Sequence, residues 1–238
     1  MPPSCYHERC FPTETTLPAW LPPPDPSHDA IAWLWKDARV PAFSRAAVAV
    51  VDRHIWLAGD KVLVRPGARP AAVDQATQVT PVVHIEIDAL HPPASLRQAA
   101  PQILAAMRSA ARASTSGWVQ LDLEARPSQR ADYRDLVRAI RSSLPPETKL
   151  SVTALAWWCR TSGWLDGLAA DEVVPMFFRM GRDNASLRAI VAQQPAALHR
   201  LCRSGSAGFS RQEYFAPAVT ARYRRTYWFD ETAWKDIE

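Results

Sequence analysis

The sequence predicts an irregular (β/α)8 barrel, a TIM-type α/β fold, incomplete at helices 2 and 8. Three observations lead there. Eight or so strand-like segments, roughly the number such a barrel needs, are spread along one 238-residue chain. Several of them are separated by stretches of helical periodicity, the βα alternation that builds a parallel sheet. Two of the strands alternate apolar and polar side chains strictly. In Trp118–Ala125, Val119, Leu121 and Leu123 point one way while Gln120, Asp122 and Glu124 point the other. A helical pattern follows at once, so both faces of this strand are covered and its polar face must line something.

Taken in order, residues 1–28 are rich in Pro and Thr and end in Pro22-Pro23-Pro24-Asp25-Pro26, an extended or disordered leader. The barrel domain is expected over 29–238. Ala30–Trp35 reads as its first strand, closing on Lys36 and Asp37, and Ala46–Val51 as the second. Ile55–Leu57 and Lys61–Val64 flank Ala58-Gly59-Asp60, a hairpin where the second helix would stand. Thr80–Asp88 repeats the strict alternation, with His84, Glu86 and Asp88 on one face. Ser95 caps a helix to about Ala113, with Leu96, Ile103, Leu104 and Met107 on its apolar stripe. After the Trp118–Ala125 strand, a helix over Ser128–Leu144 buries Tyr133, Leu136, Val137 and Ile140 and stops before Pro145-Pro146. Lys149–Ala156 is the fifth strand, followed by Trp157-Trp158. A short helix over Gly163–Leu168 leads to Glu172–Arg179. Asn184 caps a helix to about Gln194, a weak strand lies near Leu201, and Thr226–Phe229 is the last, leaving little chain for a closing helix.

Composition removes several functions. The net charge of +4 comes from 28 basic and 24 acidic residues with no Lys/Arg block, so no nucleic-acid partner is expected. The densest cluster, Arg222, Arg224 and Arg225, reads as solvated surface. No apolar run reaches the roughly 18–20 residues of a transmembrane segment, and the start carries no signal-like core. As written the chain reads as cytoplasmic, and as extracytoplasmic if a signal or lipid-anchor segment lies upstream. Cys5, Cys10, Cys159 and Cys202 are scattered; a leader disulfide and free thiols are both open. Only 8 glycines and no phosphate-cradling run argue against a nucleotide, and no cofactor is expected. No nucleophile elbow is present, and oligomeric state is not legible.

If the two alternating strands are neighbours, their polar faces converge. Residues nearest the C-terminal strand ends carry the chemistry of such barrels, which puts Asp88, Asp122 and Glu124 at the mouth and His84 and Glu86 deeper. Unpartnered carboxylates there would be costly, so Arg179 and Lys36 are the expected counter-ions. The pattern points to glycoside hydrolysis: one protonated carboxyl donates to the leaving oxygen, and a second carboxylate or a substrate group meets the developing cation. Glu124 is the expected acid, Asp122 tunes it, and Asp88 is base or stabiliser. Among ten tryptophans, Trp33, Trp35, Trp157 and Trp158 are candidates to line sugar subsites, with Arg179 and Glu86 as further substrate contacts. The expected partner is a poly- or oligosaccharide. Two other readings stand beside this one: a salt-bridge network around Arg179 with no catalysis, the barrel then binding saccharide or a partner protein through a Trp-rich mouth, and a metal site from His84, Glu86, Asp88 and Asp122. A lone strand histidine among acids is more often a core residue, so no metal is expected.

The segments VQLDLEARPSQRADYRDLVRAIRSSL (119–144), LSVTALAWW (150–158) and DEVVPMFFRMG (171–181), with His28-Asp29-Ala30, Trp33-Leu34-Trp35 and the strand 82–88, resemble the bacterial family known as domain of unknown function 3142. That resemblance covers most of residues 28–230 and implies a glycoside-hydrolase-like barrel, with no activity attached. A more distant similarity is to family-18 chitinases, whose fourth strand ends in an Asp-x-Glu with the Glu as general acid, matched here by Asp122-Leu123-Glu124. The chain departs from that family twice: Gln120 stands where a further acid is expected, and Met176-Phe177-Phe178 lacks the Met-x-Tyr hydroxyl.

Overall fold

The computed structural model describes residues 29–35, 47–68, 73, 76–160 and 163–229. The Pro-rich leader, Cys5, Cys10, Lys36 and the segment after Phe229, where helix 8 would fall, lie outside the described residues. The strands are β1 (Asp29–Leu34), β2 (Ala47–Ala58), β3 (Lys61–Pro66), β4 (Gln78–Ile87), β5 (Trp118–Leu123), β6 (Lys149–Leu155), β7 (Glu172–Met176), β8 (Ser206–Ser210) and β9 (Arg225–Phe229). They run in the order β1-β9-β8-β7-β6-β5-β4-β2, and β1 pairs with β2 to close the ring. All eight staves are parallel, as the sequence predicts. The ninth strand, β3, is antiparallel and hangs outside β2, the hairpin that replaces a helix.

One correction concerns β2. The second strand and the first hairpin arm are one strand of 12 residues. Its first half pairs with β1 through Val48–Val50 and its second half with β3 through Arg53–Ala58. Between Val51 and Arg53 the register against β4 slips by one residue. Such a bulge re-aims every later side chain. Ala49 and Val51 face the barrel interior before it; beyond it His54 and Trp56 align with His84 and Glu86.

Burial divides into two layers. Ile31, Trp33, Ala49, Val51, Val82, Val174, Met176, Phe178, Tyr227 and Phe229 fill the interior. The other faces of the strands pack under α1 (Ala100–Ala113), α2 (Arg130–Ser143) and α3 (Asn184–Gln193). Tyr133, Leu136, Val137 and Ile140 form the buried stripe of α2, as expected. Ser95 does not cap α1, which begins at Ala100; its hydroxyl donates to Asp132 of α2. The helix expected over 163–168 is a run of turns. The strand expected near Leu201 lies at Ser206–Ser210, Leu201 sitting in a 3₁₀ turn. That strand was hard to read because it is short and offers only Ala207 and Phe209 to the outer core, while close packing on its inner face leaves no room for a side chain at Gly208, where a Cβ would lie 2.9 Å from the Phe229 ring.

The helix-poor flank between β6 and β8 is held otherwise. Trp158 stacks on Trp164 with ring centroids 4.1 Å apart, and Tyr133 meets Trp158 edge-on at 5.3 Å. Cys159 and Cys202 form a disulfide across 43 residues, a loop closure that stabilises by about 4 kcal/mol in the chain-entropy picture.

At the N-terminal ends of the strands a polar network plugs the barrel. The buried carboxylate of Glu172 meets Arg225 at 3.2 Å and accepts from Ser206 and, at 2.8 Å, from the Tyr227 hydroxyl. Arg225 also approaches Asp29 at 3.6 Å and lies over the Trp118 ring. Arg225 is therefore an internal residue, correcting its place in the expected solvated cluster. Its neighbour Arg222 donates to the carbonyls of Val191 and Ala192 at the end of α3, where a cation suits the helix dipole.

Candidate functional site

Polar residues cross the upper barrel in rows. In the lower row the Trp33 indole N–H donates to Gln120 Oε1 at 2.8 Å, and the Gln120 amide donates to Ser151 at 3.0 Å. Both Trp33 and Gln120 are buried. Trp33 is thus a core residue and not a sugar-stacking one, and the amide at position 120 is fixed by the two neutral partners it holds.

One row higher, β4 and β5 place His84 beside Asp122. The buried Asp122 accepts from the Thr153 hydroxyl at 2.5 Å and contacts His84 Nδ1 at 2.7 Å. Burial pushes the Asp122 carboxyl up, but the His84 hydrogen bond and charge, with Thr153, outweigh it and hold the carboxyl below its ordinary range. An ionised Asp122 can only accept, so His84 carries its proton on Nδ1. The hydrogen-bonded partner of the buried acid is therefore His84, while Arg179, expected as a counter-ion, acts through its charge on Glu124.

Glu124 stands two residues on, just past the end of β5. It opens into a cleft of about 420 Å³ whose wall includes Leu155, Trp157, Met176, Phe178, Arg179, Met180 and Leu187. Glu124 is an exposed residue, yet the water displaced by the protein around its carboxyl, then the negative charge of Asp122, push that carboxyl above its usual range; His84 and Arg179 oppose this. Arg179 lies beyond the end of β7 with its backbone in the left-handed region (φ 48°), a conformation costing on the order of 1 kcal/mol or more in a non-glycine residue. Its backbone N–H donates to Glu213 at 2.7 Å, which fixes the turn.

The remaining candidates separate. Trp157 is half-buried and lines the Glu124 cleft. Trp158 is fully buried against Trp164, so it belongs to the core and not to a subsite. Trp35 is half-buried, stacked on Trp33 and edge-on to His84 at 4.6 Å. Asp88, expected as base or stabiliser, turns its carboxylate to the backbone N–H groups of Leu90 and His91 at 2.9 and 2.7 Å. Those bonds, the His91 one first, hold it below the ordinary range, and the carboxylate is committed to its own loop. Glu86 is exposed and meets His54 Nε2 at 3.1 Å. His54 was missed in the sequence because strand parity counted from Ala46 fails at the bulge.

No family model matches the chain, and no curated protein sequence matches it. Among solved structures the chain is similar to one from Streptomyces coelicolor, provisionally named chitinase A. The TM-score is 0.55 at 13% identity, covering 88% of this chain and 94% of that one. It is also similar to the spore cortex-lytic enzyme SleL of Bacillus cereus, with TM-score 0.48 and 15% identity over 77% of this chain and 50% of that one. The first similarity establishes the type of barrel.

Proposed function

We propose that the protein is a glycoside hydrolase in which Glu124 is the general acid. The observation that carries this reading is the pairing of two neighbouring carboxyls with opposite environments. Asp122 is buried, bonded and kept ionised; Glu124 faces an apolar-walled cleft and is pushed toward the protonated form. Groups driven apart in this way divide into acid and charged stabiliser. Glu124 delivers its proton to the leaving glycosidic oxygen, while Asp122 orients Glu124 and keeps its proton affinity high. With Asp88 tied to its loop, Glu124 is the one acid on the cleft wall among the described residues. The cation that develops at the sugar is then met by a group of the substrate itself, as an N-acetylated sugar supplies. Trp157 offers the flat face for an adjoining ring. The Cys159–Cys202 bridge supports work in an oxidising compartment.

The test is release of reducing ends from a panel of polysaccharides headed by N-acetylated ones, because a protein of similar fold carries a chitinase name. Glu124→Gln should lower kcat by roughly 100-fold or more with the fold intact, the scale of a lost general acid. Unchanged turnover would sink the assignment. Binding without turnover in the parent protein would favour a saccharide-binding barrel using Trp35 and Trp157.

A further inference from the structure

We propose that His54, His84 and Glu86 form a binding site for a divalent transition metal of the Zn²⁺ class at the barrel mouth. One ligand atom from each lies within 4.8 Å of the other two. Two adjacent strands bring them together: β2 and β4 align His54 with His84 and Trp56 with Glu86. The bulge after Val51 is what turns His54 inward; without it, that imidazole would point to the outer layer. Tetrahedral zinc ligands sit roughly 3.4 Å apart when each bond is about 2.1 Å. The half-exposed Glu86 side chain can swing the remaining distance.

Three features separate this group from a chance cluster. Two imidazoles and a carboxylate suit Zn²⁺, Co²⁺, Ni²⁺ or Cu²⁺, whereas Ca²⁺ and Mg²⁺ want oxygen alone. His84 gives its Nδ1–H to Asp122, which leaves Nε2 as the ligand atom and reproduces the carboxylate–imidazole relay that orients metal-bound histidines. Trp35 packs its ring against both imidazoles, with centroids 4.6 Å from His84 and 6.0 Å from His54, and so limits their rotation. His54 Nε2 and Glu86 share a hydrogen bond of 3.1 Å. Loading moves the His54 proton to Nδ1, so that Nε2 and the carboxylate both turn to the ion. Three protein ligands leave one position open to water or to a ligand oxygen.

The proposal does not depend on glycan hydrolysis, because binding is measured with no substrate present. Metal-stripped protein is titrated with Zn²⁺ by calorimetry and with Co²⁺ by visible absorption, folding being followed by circular dichroism. One ion per chain is expected. His54→Ala and Glu86→Gln should each weaken binding about tenfold or more, and Asp122→Asn, acting through His84, by roughly 10–100-fold. His91→Ala and His199→Ala should change nothing. Absence of binding in the parent protein overturns the site, as does binding that survives both His54→Ala and Glu86→Gln at parental affinity. The two ligand variants carry half-exposed or exposed side chains, so one of them decides the matter even if the other fails to fold.

Discussion

The two ends of this barrel use the same kinds of residue for opposite purposes. At the N-terminal end the Glu172 carboxylate is surrounded by Arg225, Ser206 and Tyr227, so each oxygen has a donor. At the C-terminal end Asp122 is similarly satisfied by His84 and Thr153, but Glu124 beside it faces a cleft. A salt-bridge network thus stands at the N-terminal end, around Arg225. Acidic residues inside a barrel do not by themselves mark chemistry. What marks it is an acid left without a tight partner beside one that is fully answered.

The comparison breaks most visibly by removing a partner at the lower end. Glu172→Ala leaves Arg225 in a largely buried setting with the Trp118 ring and only the longer approach to a carboxylate, that of Asp29. Breaking such a pair costs about 3 kcal/mol or more, to be read from chemical denaturation, with the proposed turnover per folded molecule at the parental level. A loss of turnover per folded molecule would mean that the ends are not separable. A smaller effect is expected at the upper end from Trp157→Ala. Removing one aromatic wall of the cleft should raise KM by roughly tenfold, about 1.4 kcal/mol, within the range of an aromatic contact and its buried area, and leave kcat nearly unchanged. An equal fall in kcat would instead give Trp157 a part in positioning the reacting bond.

Much of the fold was legible because parallel strands and amphipathic helices announce themselves. The alternation in β4 and β5 and the α2 stripe at Tyr133, Leu136, Val137 and Ile140 lie where the periodicity predicts them. The Asp122–Glu124 pair was legible from the same alternation. What escaped were contacts set by neither period nor spacing. The slip at Asp52 hid His54, because a single extra residue exchanges the faces of everything after it. β8 alternates over only five residues, with Ala207 and Phe209 as its whole apolar face, and Gly208 on the other face must make room for Phe229. Trp33 and Trp158 look like subsite residues in a string of letters; only the neighbours of each, Gln120 for one and Trp164 for the other, make them core. The same is true of Asp88, whose loop claims its carboxylate.

The finest distinction between the two upper carboxyls is electrostatic, and Asp122→Asn isolates it. Asparagine keeps the shape and can still accept from His84, but it removes the charge that, after burial, does most to raise Glu124. The acid must be protonated to act, so activity falls as pH rises through the Glu124 value. Taking away the neighbouring charge lowers that value, and the alkaline limb of kcat should move to lower pH. A limb that stays in place would show that the two groups do not communicate. Stability carries the matching signature. Because its folded value is raised, Glu124 contributes stability that is full at low pH and is lost as pH rises through that value. Glu124→Gln should therefore lack this decline, and its small advantage in Tm over the parent should grow across the same window. Asp122 has the opposite sign. Its depressed value gives stability present above the unfolded range and lost as pH falls through the folded one, so the acid-side loss of stability should shrink in Asp122→Asn.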